Sequence, residues 1–155
     1  MSVKPIPDGY HTVTPYLIVR DAAKAIAFYQ QAFGAVEVMR LPMPDGGVAH
    51  AEIRIGDSVV MMGEENPAWG SKSPETLGGT PAGLMIYVPD CDAVFARAVA
   101  AGATALEPLT DQFYGDRSGK VTDPFGHQWT VATHVEDVAP AELQKRMNAM
   151  FAQPA

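Results

Sequence analysis

The strongest constraint on this chain is that it reads as one pattern written twice. Residues 14–62 begin TPYLIVRDAAKAIAFYQQAFGAVEVMR and end HAEIRIGDSVVMM. Residues 82–132 begin AGLMIYVPDCDAVFARAVAAGATALEP and end SGKVTDPFGHQWTVA. Each copy opens on an apolar run, LIV at 17–19 and LMIYV at 84–88, and then carries an aspartate, Asp21 or Asp90. Each continues with helical spacing that stops at Gly-Ala (34–35 and 102–103) and closes with a glycine turn, Gly56 or Gly126, before a β-rich run. Asp21 to Gly56 spans 35 positions and Asp90 to Gly126 spans 36, so the order of features is kept although few residues match. A repeat of this length is one supersecondary unit, buried against its own copy.

The local signals give each unit its elements. Asp21 can cap the first amides of a helix, and Asp90 or Asp92 can do the same in the second unit. Ala22, Ala25, Ile26, Tyr29, Ala32 and Phe33 share one helical face, as do Val94, Phe95 and Ala98. Gly34 and Gly102 suit the left-handed residue that ends a helix. Three extended runs follow each helix, with PDGG at 44–47 as a hairpin turn. The reading is α+β, two βαβββ modules over 12–62 and 82–134, forming curled mixed sheets with helices outside. Residues 63–81 read as a linker or mobile loop. A C-terminal helix over 139–152 opens at Pro140 and carries Leu143, Met147 and Met150 on one stripe, suited to packing on the body or to serving as a partner contact or lid.

Composition narrows the function. The chain has 155 residues with 47% hydrophobic and 19% charged, which suits one folded domain rather than a disordered chain. A net charge of −7 repels phosphate backbones, so nucleic acid is not expected as a partner. No run of about 18 apolar residues is present, so no membrane-spanning helix is expected. The start MSVKPIPDGYHTV has no apolar signal region, and the expected location is cytoplasmic. One cysteine, Cys91, allows neither an internal disulfide nor a cysteine-rich zinc site. Asp90 and Asp92 beside it oppose a reactive thiolate.

The stretches TPYLIVRDAAKAIAFYQQAFGA (14–35), HAEIRIGDSVVMM (50–62) and VTDPFGHQWTVATH (121–134) together resemble the vicinal oxygen chelate superfamily of glyoxalases, extradiol dioxygenases, fosfomycin-modifying enzymes and bleomycin-resistance proteins. With DQFYGDR (111–117), the finer resemblance is to a metal-less branch labelled demethylubiquinone methyltransferase. No glycine-rich nucleotide loop follows a strand here, so that label gains no support. The resemblance implies sheets curled into cups that hold a ligand, and a homodimer. In metal-using members four cup-facing positions supply His, Glu or Gln. Aligned from the fixed turns, these positions fall on Thr14, Met61, Gly83 and Thr130. Hydroxyl, thioether and glycine do not make a divalent-metal site. No metal and no cofactor are expected.

Strand alternation then sorts the side chains. Thr12, Thr14, Tyr16, Val59, Met61, Gly83, Met85, Tyr87, Gln128, Thr130 and Ala132 should face the cup. Val13, Leu17, Val19, Val60, Met62, Leu84, Ile86, Val88, Trp129 and Val131 should face the helices. On the strand at 48–55, Ala49, Ala51, Ile53 and Ile55 suit the helix side, leaving His50 and Glu52 toward the cup, where they can share a proton or a metal. In DQFYGDR, Phe113 and Tyr114 can form a rim, and Arg117 can hold a carboxylate or phosphate in bidentate fashion or brace the turn against an aspartate. Trp69 is a lid aromatic or simply exposed. His127 suits a structural role in its turn, His11 falls outside the cup, and His134 lies near its edge. The expected ligand-binding set is Thr14, Tyr16, His50, Glu52, Met61, Met85, Tyr87, Phe113, Tyr114, Arg117 and Thr130, with His50 and Glu52 the only catalytic candidates. A mostly apolar lining with a few polar tips fits a small hydrophobic or aromatic organic molecule, bound for sequestration or resistance rather than turned over. The alternative is a metal-dependent lyase, isomerase or dioxygenase built on His50 and Glu52. That needs at least three convergent metal ligands, and only these two can be placed.

Overall fold

A computed structural model describes residues 2–152. The first module runs β1 (Tyr16–Val19), α1 (Ala22–Phe33), β2 (Val36–Pro42), β3 (Val48–Ile55) and β4 (Ser58–Glu64). A single 3-10 turn (Pro67–Trp69) and the short α2 (Pro74–Leu77) follow. The second module runs β5 (Gly83–Tyr87), α3 (Cys91–Ala101), β6 (Thr104–Asp111), β7 (Asp116–Thr122) and β8 (Gln128–His134), and α4 (Pro140–Phe151) ends the described chain. The sheets have orders β1-β4-β3-β2 and β5-β8-β7-β6, with the first strand parallel to the last and the others antiparallel. Both are the βαβββ units that the repeat implies.

The helix caps work as their chemistry demands. The Asp21 carboxylate accepts from the Lys24 amide at 3.0 Å, and Gly34 takes φ 67° to close α1. Asp90, not Asp92, caps α3, accepting from the Ala93 amide at 3.1 Å. Asp92 is left for another partner, described below. The helix-facing set is buried where it lies in strands: Leu17, Val19, Val60, Met62, Trp129 and Val131 lie in the core, with Leu84, Ile86 and Val88 packed against it. Val13 is the exception and is exposed, because β1 begins only at Tyr16 and alternation does not reach it.

The modules meet through α1 and α3, and no strand of one sheet pairs with the other. At the junction Phe28, Tyr29, Phe33, Phe125 and Trp129 form an aromatic cluster with ring centroids 4.9–6.3 Å apart. Burying this much aromatic surface is a large stabilising term. Its polar atoms converge on Asp123, from the Asp-Pro-Phe-Gly turn. The carboxylate accepts from Tyr29 Oη (2.5 Å), Trp129 Nε1 (2.9 Å), and the amides of Phe125 and His127 (2.9 Å each). Burial and the neighbouring Asp123 charge push the Tyr29 phenol well above its usual range. His127, structural as expected, meets the Ile18 carbonyl of the other module at 2.9 Å.

Residues 63–81, read as a linker or mobile loop, join the two modules and are pinned by polar contacts. The Glu65 carboxylate accepts from the Ser73 amide (2.6 Å) and hydroxyl (2.7 Å), and Arg20 reaches Thr76 (3.1 Å) and Glu75 (3.5 Å). Gly126 takes φ +93° at the foot of this segment, where a Cβ would lie 2.7 Å from that of Pro74. The C-terminal helix begins at Pro140 as expected, but its stripe is not packed on the body. Leu143 is half-buried, and Met147, Met150 and Phe151 are exposed. Polar contacts hold α4 instead, as Arg146 donates to Glu136, Glu142 and the Phe113 carbonyl.

Replacing Asp123 with Ala strands four donors in a dry interior, each costing about 1–3 kcal/mol when orphaned. Urea denaturation is expected to show a loss of at least about 3 kcal/mol for Asp123→Ala, and about 1–2 kcal/mol for Tyr29→Phe, which removes one donor.

Candidate functional site

Each sheet has a second face, turned away from its helix, and there the expected cup residues are found. In the first sheet Tyr16, Met61, Glu52 and Met39 stand in one cross-strand row. In the second, Met85, Thr130 and Lys120 form one row, and Tyr87, Ala132 and Ser118 the next. On these faces Tyr16 is 51% exposed, Met85 44% and Tyr87 62%. Ala132 and Val59 are exceptions on this face, both buried.

Glu52 is the buried charge of the first face, only 5% exposed. Its carboxylate accepts from the Tyr10 hydroxyl and from His50 Nε2 at 3.0 Å. The ring of His50 meets the Tyr16 hydroxyl through Nδ1 at 3.0 Å. Burial pushes the Glu52 pKa up, but the hydrogen bonds from Tyr10 and His50 and the imidazole's charge outweigh it, so the value lies below the ordinary range. An ionised carboxylate only accepts, so Nε2 donates to it. Tyr16 must cross β4 to reach His50, and Gly63 makes the room. A Cβ at Gly63 would stand 3.1 Å from the Tyr16 hydroxyl. A cavity of about 440 Å³ lies beside this group, lined by Pro5, Ile6, Tyr10, Thr14, Glu52 and Met61 among others. His11 lines it too, nearer the cup than expected.

The second face has its own buried carboxylate. Asp116 accepts from the Tyr87 hydroxyl (2.8 Å) and from His134 Nδ1 (2.8 Å). His134 Nε2 points at Asp137 at 2.7 Å. Both ring nitrogens face carboxylates, so only the imidazolium satisfies both. Asp137 first, and Asp116 with it, raise the His134 pKa above the usual 6.5. The hydrogen bond to Asp116 likewise raises the Tyr87 phenol. Tyr114 stands near Tyr87 and stacks edge-on against Phe113 at 5.3 Å.

Arg117 leaves the expected set. Odd positions of β7 face α3, so its guanidinium grips Asp92 through two bonds (2.8 and 2.9 Å) and Asp111 through a third (3.2 Å). It braces the module and is not free for a ligand. His50 and His134 belong to separate clusters. Trp69 is exposed in the 3-10 turn beyond β4. Sequence reasoning missed Tyr10 and Asp116. Tyr10 lies outside any element, where no periodicity speaks, and Asp116 was weighed only as a loop partner for Arg117. A second cavity, about 560 Å³, opens at the seam between modules, lined by Phe33, Val60, Leu84, Ile86 and Trp129 and also touched by Met85 and Tyr87. Among the described residues, no helix is long and apolar enough to cross a membrane.

Residues 10–131 match the family model described as glyoxalase/bleomycin resistance protein/dioxygenase superfamily. The chain belongs to that superfamily. It is similar to the uncharacterized protein Rv0887c of Mycobacterium tuberculosis, 47% identical over 140 residues, 88% of this chain and 82% of that one. It is also similar to the uncharacterized protein At5g48480 of Arabidopsis thaliana, 32% identical over 117 residues, 70% of this chain and 69% of that one. Among solved structures it resembles TioX from Micromonospora sp. ML1, with 29% identity, TM-score 0.64, and coverage of 81% of this chain and 99% of the other. The fosfomycin resistance protein FosX of Listeria monocytogenes shares the superfamily fold at TM-score 0.60 and 19% identity, over 86% and 97% of the two chains.

The His134 latch carries a pH signature. A raised pKa means that its contribution is full below about pH 6.5 and fades as pH rises through the folded-state value. NMR titration is expected to place the His134 ring above 6.5. Unfolding free energy measured against pH should fall above that point in the parent protein and lose this step in His134→Gln.

Proposed function

We propose that the chain is a metal-independent binding protein for a small hydrophobic or aromatic molecule, of the sequestration type found in the resistance branch of its superfamily. The observation that carries this reading is the inner face itself. Tyr16, Met85 and Tyr87 stand exposed on the faces turned from the helices, where register sets them side by side with Met61 and Thr130, and burying such surface on a ligand is favourable. Thioether and aromatic groups around an apolar guest, with a few polar tips, are ordinary pocket chemistry.

The donor set argues against a resident metal. By the resemblance, Thr14, Met61, Gly83 and Thr130 correspond to the positions from which metal-using relatives supply ligands, and none is an imidazole or carboxylate. His50 and Glu52 are engaged with each other and with two tyrosines, and among the described residues no third His, Cys, Asp or Glu joins them. The pair therefore suits polar recognition.

The inner faces are uncovered within one chain, which supports a homodimer that encloses them, and the bare stripe of α4 adds apolar surface for such contact. A cytoplasmic setting suits the buried, unpaired thiol of Cys91.

Fluorescence titration with the neutral aromatic dye N-phenyl-1-naphthylamine tests this reading. Saturable binding is expected, weakened about fivefold in Tyr87→Ala by loss of one aromatic contact, with the variant still folded by circular dichroism. Calorimetry with Ni²⁺, Zn²⁺, Mn²⁺ and Fe²⁺ should show no tight site. One metal held tightly per chain and lost in His50→Ala would overturn the binder in favour of a metalloenzyme.

A further inference from the structure

The residue least expected in the first cup is Tyr10. It comes from the segment before β1, which forms no helix or strand and is mostly exposed; Val3 and Val13 are 90% and 82% exposed. The segment's other holds are few. Lys4 pairs with Asp8 inside the segment, the Tyr10 amide closes a turn onto the Pro7 carbonyl, and His11 Nε2 meets the Asp57 carbonyl at 3.1 Å. Yet the Tyr10 hydroxyl donates to Glu52, 42 positions away and almost fully buried.

A buried carboxylate must have donors. His50 supplies one, positioned from behind by Tyr16, and both belong to the rigid sheet. The other donor comes from a strap with little else to hold it. The strap also bounds the 440 Å³ cavity beside Glu52, a volume within the usual range of small-molecule sites. Ile6, Pro7 and Met61 give that cavity apolar walls. A phenol hydroxyl already occupies this acceptor, so a second phenol reproduces a contact that the site makes with its own side chain.

We propose that the Glu52 carboxylate recognises the hydroxyl of an aromatic ligand, a phenol, and that Tyr10 is a built-in stand-in which the ligand displaces. This deepens the binder reading and rests on it. His50 and Tyr16 are positioning residues: they hold the carboxylate ionised and aimed. Tyr10 keeps Glu52 paired while the cup is empty and withdraws with the strap when a better phenol arrives. Affinity is therefore set by competition between two phenols for one acceptor.

The test uses the full chain and two probes, 2-naphthol and 2-methoxynaphthalene, which differ in the hydroxyl. A hydrogen bond to a charged group is worth about 1.5–3 kcal/mol, so 2-naphthol is expected to bind about tenfold tighter or better. Tyr10→Phe removes the competitor and should tighten 2-naphthol several-fold, with little change for the ether. Glu52→Gln should abolish the preference between probes, with folding checked by circular dichroism; Tyr10→Phe, at an exposed strap, tests the idea even if Glu52→Gln unfolds. Amide exchange in residues 5–14 should quicken on adding 2-naphthol. Equal binding of both probes, unchanged in Tyr10→Phe, would overturn the phenol proposal and leave the binder standing. Binding of neither probe would overturn both.

Discussion

Asp123 is the interaction on which the rest of the structure depends. It is one carboxylate, buried where the two modules meet, with four donors on it. Two of those donors shape its own turn, one is the indole of β8, and one is a phenol from α1 of the other module. A charge in such a place is tolerated only because every lone-pair direction is used. The consequence is a fixed junction: the aromatic cluster packs around it, α1 lies against α3, and both sheets are held by their helix sides. Their other faces are left free, and the functional chemistry stands on those faces.

The same device recurs there with a different outcome. Glu52 and Asp116 are also buried carboxylates, each held by a tyrosine and a histidine. At Asp123 the partners are interior and closed off. At Glu52 and Asp116 the partners are half-exposed side chains, so the network ends at the surface where a guest can join it. The modules are not equivalent in this. Glu52 lies mid-strand beside an open cavity, whereas Asp116 opens β7 and ties Tyr87 through His134 toward the start of α4. The pseudo-symmetry of the backbone has been used to make one recognition site and one latch.

Much of this was legible from residues alone. The repeat gave the module count, Asp and Gly gave the helix ends, and period-two alternation separated Leu17, Met62 and Trp129 from Tyr16, Met61 and Tyr87, because alternation is a local property. What failed was non-local. Arg117 went to Asp92 because β7 faces α3 with its odd positions, and the sequence reading assigned no parity to that strand. Tyr10 was invisible because a strap outside any element has no period. The linker held more order than its Gly, Pro and Ser content suggested, since Ser73 and Glu65 bind each other across eight residues. The stripe of α4 was read correctly as apolar, but apolarity does not say what covers it.

The central claim is that the inner faces, and not the seam between modules, take the guest. Methionine methyl NMR measures this directly, because Met39 and Met61 stand on the inner face of the first sheet, away from the seam cavity, while Met62 lies in the core with no exposure. On titration with N-phenyl-1-naphthylamine, the methyl signals of Met39 and Met61 should shift while that of Met62 stays fixed. Saturable dye binding that leaves Met39 and Met61 unmoved, with perturbation at Val60 and Leu84 of the seam, would contradict it.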